Sequence, residues 1–152
     1  MASFSFNGMD ELSAGFEQLS QLSDADKMTV IMPAAKLLVE RQREMIQRLF
    51  RQRTGDLANS LSIQEKSDED GAYAHIYLKG KHRGSSTGKR KGKRRSNGRY
   101  SGTNAEVGYI LEYGSPRIAA RHWMENANEE AADEVVAAEQ AAWDDLITQK
   151  GL

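Results

Sequence analysis

Leu61-Ser62-Ile63-Gln64-Glu65-Lys66 and Ala72-Tyr73-Ala74-His75-Ile76-Tyr77-Leu78 are two alternating runs, separated by the polar stretch Ser67-Asp68-Glu69-Asp70-Gly71. Alternation sends successive side chains to opposite faces of a strand, so two such runs joined by a turn-forming stretch predict an antiparallel hairpin. One of its faces is aliphatic and the other polar or aromatic. On either side of this hairpin the period changes from two to between three and four, which predicts helices. Upstream, Ile31, Ala34, Ala35, Leu38, Met45, Leu49 and Phe50 mark the inner face of a long helix that follows the capping and turn residues Ser23-Asp24-Ala25-Asp26. Pro33 either opens or kinks that helix. Its expected end lies near Arg53, where Thr54-Gly55-Asp56 breaks the pattern. Further upstream, Phe4-Ser5-Phe6 alternates, and Met9, Leu12, Phe16, Leu19 and Leu22 predict a first helix from about Asp10.

Downstream, Thr103-Asn104-Ala105-Glu106 has the form of a capping box and predicts a short helix to Tyr113, closed by Gly114. Met124, Ala127, Ala131, Val135, Ala138, Ala142 and Leu146 then predict a final helix of about seven turns within 121–150. There is no internal repeat. The expected fold is therefore α+β, one domain over 1–152, with a small antiparallel sheet packed against long helices and a long basic flexible loop over 79–102.

Composition narrows the function classes. The chain has 152 residues, 39% of them hydrophobic and 28% charged, the profile of one ordinary globular domain. With no cysteine, thiol redox chemistry, disulfides and Cys-ligated zinc are excluded. The apolar runs fall far short of the ~20 residues of a membrane-spanning helix, and no basic segment leads into an apolar one at the N-terminus. Neither a bilayer span nor a signal peptide is expected.

The net charge of −1 hides a segregation. Lys79, Lys81, Arg83, Lys89, Arg90, Lys91, Lys93, Arg94, Arg95 and Arg99 are ten bases in a stretch without an acid, while the rest of the chain holds eleven bases against all 22 acids. Glycine and serine fill the gaps between these bases, and no aliphatic residue is present to offset the entropy of ordering the segment. Such a segment attracts phosphates through counterion release. The lack of aromatics between Lys79 and Arg99 removes stacking platforms, so a nucleic-acid contact would be backbone-directed and sequence-neutral. The alternatives are a solvated loop, or one that pairs with acids of a neighbouring subunit's last helix. That helix carries eight acids and no base from Trp123 to Gln149, a self-repelling field better placed against a neighbour's basic surface.

Catalytic chemistry finds little to work with. His75, His82 and His122 stand far apart, without the spacing that places two metal ligands on one helix face; His75 falls on the polar strand face and His122 opens the last helix. The glycines around Lys89-Arg90-Lys91-Gly92-Lys93 do not form a phosphate loop between a strand and a helix. A nuclease needs clustered metal-binding acids, and none lie beside the basic segment. No catalytic residue, cofactor or metal is expected. A free-standing DNA-binding module would show a cationic recognition helix, whereas the helix with Lys36, Arg41, Arg43, Arg48, Arg51 and Arg53 also carries the core stripe.

Four segments occur in a suggestive order: Phe4-Ser5-Phe6-Asn7-Gly8-Met9-Asp10-Glu11-Leu12; Arg53-Thr54-Gly55-Asp56-Leu57 with Ser60; Tyr109-Ile110-Leu111-Glu112-Tyr113-Gly114-Ser115; and Ala120-Arg121-His122-Trp123-Met124. Together they resemble the neck and tail-completion (head-tail joining, minor tail component) proteins of long-tailed bacteriophages and prophages. The resemblance covers nearly the whole chain except the basic loop. It implies a non-enzymatic virion component, made in the cytoplasm of a bacterial host and built into the head–tail junction. Copies would form a ring, sixfold or a multiple, around the DNA channel, with neighbouring neck, connector and tail proteins as partners, DNA in the lumen and no membrane contact. The alternative is a small, sequence-nonspecific DNA-binding protein acting through the basic loop.

The family motif residues Arg53, Thr54, Gly55, Leu57, Ser60, Glu112, Gly114 and Trp123 are then structural. Gly55 and Gly114 are expected at positive φ, Thr54 or Asp56 as a cap for Leu57–Leu61, and Glu112 either paired with a base such as Arg117 or Arg121 or at a subunit contact.

Overall fold

The computed structural model describes residues 17, 21–50, 55–69, 71–80 and 103–151. The expected first helix, apart from its last residues, Arg53 and Thr54, and all of the basic segment beyond Gly80 up to residue 102 lie outside these. The described residues form helix α1 (Asp24–Leu49), a single turn α2 (Asp56–Asn59), strands β1 (Leu61–Asp68) and β2 (Gly71–Leu78), helix α3 (Asn104–Tyr113) and helix α4 (Trp123–Lys150). The chain is α+β, as its periodicities predict.

Helix α1 begins where its cap sits. The Ser23 side chain accepts from the Asp26 N–H, and the Asp26 carboxylate accepts in return from the Ser23 N–H at 3.2 Å, so two amides that the helix start leaves unpaired are satisfied reciprocally. Pro33 lies inside α1, on its exposed side, instead of at its start. A mid-helix proline costs about 3 kcal/mol and leaves the carbonyl of Thr29 without its usual donor. The helix persists because the residues after the proline, Ala34 and Ala35, are buried in the main helix pair. The backbone turns extended at Phe50, three residues before the expected end at Arg53.

Helices α1 and α4 run antiparallel: Asp26 meets Lys150 at 2.9 Å at one end, and Arg48 meets Glu130 at 2.6 Å toward the other. The buried face of α1 is Ala34, Ala35, Val39, Gln42, Met45 and Ile46. Ile31, Leu38 and Leu49, expected inside, are only half buried, because the packed face is rotated toward 39, 42 and 46. On α4, Ala127, Ala131 and Leu146 are buried as predicted, and Val135, Ala138 and Ala142 are half buried between them. The head of the stripe is Trp123, fully buried, while Met124 is 38% exposed.

The hairpin is antiparallel with the two expected faces, and its register places Leu61 opposite Leu78 and Ile63 opposite Ile76 on the aliphatic face and Gln64 opposite His75 on the other. Its ladder runs further than predicted, to Asp68 opposite Gly71, so the connection is only residues 69 and 70. Gly71 takes φ +134°, a value that side-chain-bearing residues avoid. On the polar face, His75 and Tyr77 stack with ring centroids 5.6 Å apart. The aliphatic end lies on the core, where Leu61 joins Val39, Ile46, Leu57, Ala58 and Trp123, with Ile63, Ile76 and Leu78 packed against them.

The clasp between α1 and α4 has a pH signature. Asp26 is held below its ordinary pKa of 3.8, first by the hydrogen bond from Lys150 and then by that from Ser23. A depressed folded value means that the stabilisation is present at neutral pH and is lost as pH falls through the folded pKa. The stability difference between wild type and Asp26→Asn, measured by urea denaturation, is therefore expected to be constant above about pH 5 and to shrink below about pH 4.

Candidate functional site

The motif residues that the structure describes gather around the elbow between α3 and α4. Helix α3 starts at Thr103, whose hydroxyl accepts from the Glu106 N–H at 3.2 Å, and it ends at Gly114, both as predicted. Gly114 has φ 81° and ψ 179°, a region essentially reserved for glycine. A Cβ there would lie 2.8 Å from the Ala120 amide nitrogen and 3.0 Å from the Ile118 carbonyl oxygen, both backbone atoms that cannot swing away. Gly114→Ala is accordingly expected to destabilise the fold by about 3 kcal/mol, read from the shift in urea midpoint at unchanged slope.

From Gly114 the chain turns back through Ser115 and Ile118, whose backbones exchange hydrogen bonds of 2.7 and 3.1 Å. It returns so that the amides of Arg121 and His122 donate to the carbonyls of Leu111 and Glu112 at 2.8 and 3.3 Å. These are carbonyls that the end of a helix leaves unpaired. His122, at the N-cap of α4, is left-handed at φ 47° and its side chain makes no cap bond. Glu112 takes over that task. It is 5% exposed, and its carboxylate accepts from the Met124 N–H at 2.7 Å and from the Glu125 N–H at 3.2 Å. A carboxylate at the positive end of the helix dipole is stabilising. Among the described residues Glu112 makes no ion pair with Arg117 or Arg121, both exposed, so the expected pairing is corrected: its partners are backbone amides.

Trp123 completes the joint. Its indole N–H donates to the Gly108 carbonyl at 3.0 Å, crossing from α4 to α3. Gly108 is needed because α3 crosses β2 closely; a Cβ on it would come within 2.1 Å of a Leu78 methyl. Of the second motif, Gly55 has the expected positive φ of 70°, and it is itself the N-cap of α2 without a side-chain cap bond. Asp56 lies in the first turn instead of capping it. Leu57 is buried in the core, and the Ser60 hydroxyl donates to the Leu57 carbonyl at 2.7 Å.

The two ends of the basic segment are tied together beside this elbow. Lys79 donates through its N–H to the Ser60 carbonyl at 2.8 Å, and the Asn104 side chain donates to the Lys79 carbonyl at 2.8 Å. The Asn104 N–H donates to the Gly80 carbonyl at 3.0 Å. Asn104 is buried, a role that its sequence position did not reveal. Lys79 is exposed, and the other nine bases of the segment lie outside the described residues.

The acids of α4 are not left to a neighbour alone. Arg41 of α1 donates to one oxygen of Glu134 from Nε at 3.0 Å and from a terminal nitrogen at 2.7 Å, and Arg48 reaches Glu130. The helix has no base of its own from Trp123 to Gln149, but two of its acids meet bases of the same chain instead of a neighbour's, because the antiparallel pairing brings the basic helix alongside. Such exposed pairs contribute little stability individually, and their effect is to neutralise the field. Glu129, Asp133, Glu139, Asp144 and Asp145 are exposed and make no ion pair among the described residues.

Glu112, His122 and Glu125 bring potential ligand atoms within 4.8 Å of one another, a grouping that sequence spacing did not suggest. It is explained by the helix start. Both Glu112 oxygens take amide protons and His122 lies 3.2 Å from Glu125, at the helix end whose dipole repels cations. Among the described residues no helix is long and apolar enough to cross a membrane. Comparison of the chain with protein-family models, curated proteins and solved structures returned no match.

Proposed function

We propose that this chain is a non-enzymatic structural protein of the phage head–tail junction, a neck or tail-completion component of the virion that forms a ring around the DNA channel. The observation that carries this reading is the order of the four motif segments along the sequence. Support comes from what the described motif residues do: Gly55 and Gly114 turn the backbone, Leu57 and Trp123 fill the core, and Ser60 and Glu112 bond to backbone groups. These are duties of a scaffold. Surfaces for neighbours are present as well, in the α4 acids that make no ion pair among the described residues and in exposed Tyr109, Tyr113 and Val136.

Native mass spectrometry of the protein alone and with its neck partners tests the proposal. A closed ring of six or a multiple of six copies is expected in solution or once docked on the connector; a component that stays monomeric in the assembled particle sinks it. A second reading, a sequence-nonspecific DNA-binding protein, is favoured by one observation, the ten bases without an acid between Lys79 and Arg99. Monomeric mass together with salt-sensitive DNA binding would support that reading instead.

A further inference from the structure

Between β2, α3 and the start of α4 lies a recess of about 340 Å³ with three tyrosines, Tyr77, Tyr109 and Tyr113, in its wall. Tyr109 and Tyr113 stand one turn apart on one face of α3, with ring centroids 4.7 Å apart, and are 64% and 65% exposed. Tyr77 arrives from β2, stacked on His75. Single exposed rings are ordinary, but rings gathered round a recess mark a binding surface. Gln42 also lines the recess, but its Oε1, without a hydrogen-bond partner among the described residues, is buried and offers nothing to a ligand. The charge around the rings is basic. Lys79 precedes one end of α3 in space and Arg117 and Arg121 follow the other, all three exposed and without an ion pair among the described residues. Against them α3 sets Glu106 in its first turn and the buried Glu112, whose oxygens take amide protons. Asn104 holds the carbonyls of Lys79 and Gly80, so both ends of the segment with ten bases meet at the start of α3, and Tyr109 follows about 8 Å along the helix axis.

We propose that the recess and its tyrosines bind an unpaired base of a single-stranded nucleic acid, with Lys79, Arg117 and Arg121 facing its phosphates. The basic segment has no aromatic between Lys79 and Arg99 and so no stacking platform of its own; the fold supplies one at its root. Every base has a π-face, so stacking on tyrosine tolerates any sequence. A duplex keeps those faces stacked and paired and offers only edges and phosphates, so the rings select single strands. Size agrees, because a cavity of about 150 Å³ already holds a benzene ring and the recess admits one base. Charge complementarity selects the polyanion: the three bases and the positive end of the α4 dipole oppose a cation, and an apolar peptide gains nothing from them. The inference is independent of the virion reading and adds a base contact to the phosphate contacts of the basic segment.

The test measures, by fluorescence anisotropy, binding of the full chain to an oligothymidylate and to an abasic oligodeoxynucleotide of the same length and charge. The oligothymidylate is expected to bind about tenfold more tightly, since only stacking separates the two. Tyr109→Ala combined with Tyr113→Ala should bring that ratio to near one and leave the abasic affinity unchanged, whereas Tyr109→Phe combined with Tyr113→Phe, which keeps the rings, should preserve it. Both positions are exposed, so the variants are expected to keep the fold, which circular dichroism checks. A duplex of the same length should bind the alanine variant and the wild type equally. Oligouridylate binding as tightly as oligothymidylate identifies RNA as an equal source of the base, and weaker binding identifies DNA; either supports the site. The proposal is overturned if neither oligonucleotide binds, if the ratio survives the alanine pair, or if duplex affinity falls as much as single-strand affinity. A wild-type ratio near one also overturns it: with tight abasic binding the phosphate contact of the basic segment stands alone, and with self-association lost in the alanine variant the tyrosines are a contact between copies.

Discussion

Trp123→Ala is expected to lower the unfolding free energy by about 4 kcal/mol, a large fraction of what holds a domain of this size together. The side chain is fully buried and lies in the cluster with Val39, Ile46, Leu57, Leu61 and Ala127, so its removal strips packing from α1, α2, β1 and α4 at once. It also leaves the Gly108 carbonyl without the 3.0 Å bond from the indole N–H. Trp123→Phe separates the two contributions. It keeps most of the ring and loses the donor, for an expected cost of about 1–2 kcal/mol. Trp143, half buried on the same helix, is the control, and Trp143→Phe should cost about 1 kcal/mol or less. Urea denaturation followed by far-ultraviolet circular dichroism measures all three. Equal effects at 123 and 143 would mean that the elbow is not the keystone described above.

The second large effect concerns the basic segment and depends on the proposed function. If about six of its ten cations neutralise phosphates, log K for DNA falls with log salt at a slope of about −5, roughly a thousandfold loss between 50 and 200 mM salt, with little dependence on sequence. Removing Lys81 through Gly98 should abolish this binding and leave the ring intact. The deletion begins after Gly80 because the Gly80 carbonyl holds the Asn104 amide and so belongs to the fold. The rival is pairing with exposed acids of a neighbour's α4, among them Glu129, Asp133 and Glu139. It predicts the reverse, negligible DNA affinity from the start and failed assembly after deletion. DNA titration and native mass spectrometry of the same variant distinguish the two.

Features that depend on neighbours along the chain are legible without the fold. Hairpin phase, the cap at Ser23, the start at Thr103, the stop at Gly114 and the α4 stripe from Ala127 to Leu146 all follow from periodicity or from bonds that span three or four residues. Charge segregation is likewise a property of the chain alone. Which partners meet across long separations follows from packing alone. Pro33 sits within a helix because packing against α4 outweighs a local penalty. Trp123 displaces Met124 as the head of its stripe because a carbonyl on α3 draws the indole inward. Glu112 turned out to cap a helix that begins eleven residues later, and Arg41 and Arg48 found Glu134 and Glu130 only because α1 and α4 lie antiparallel. The unpaired oxygen of Gln42 was hidden most completely. A glutamine on a helix reads as solvated surface until three other elements close over it, and burial is a property of their arrangement that no local pattern encodes.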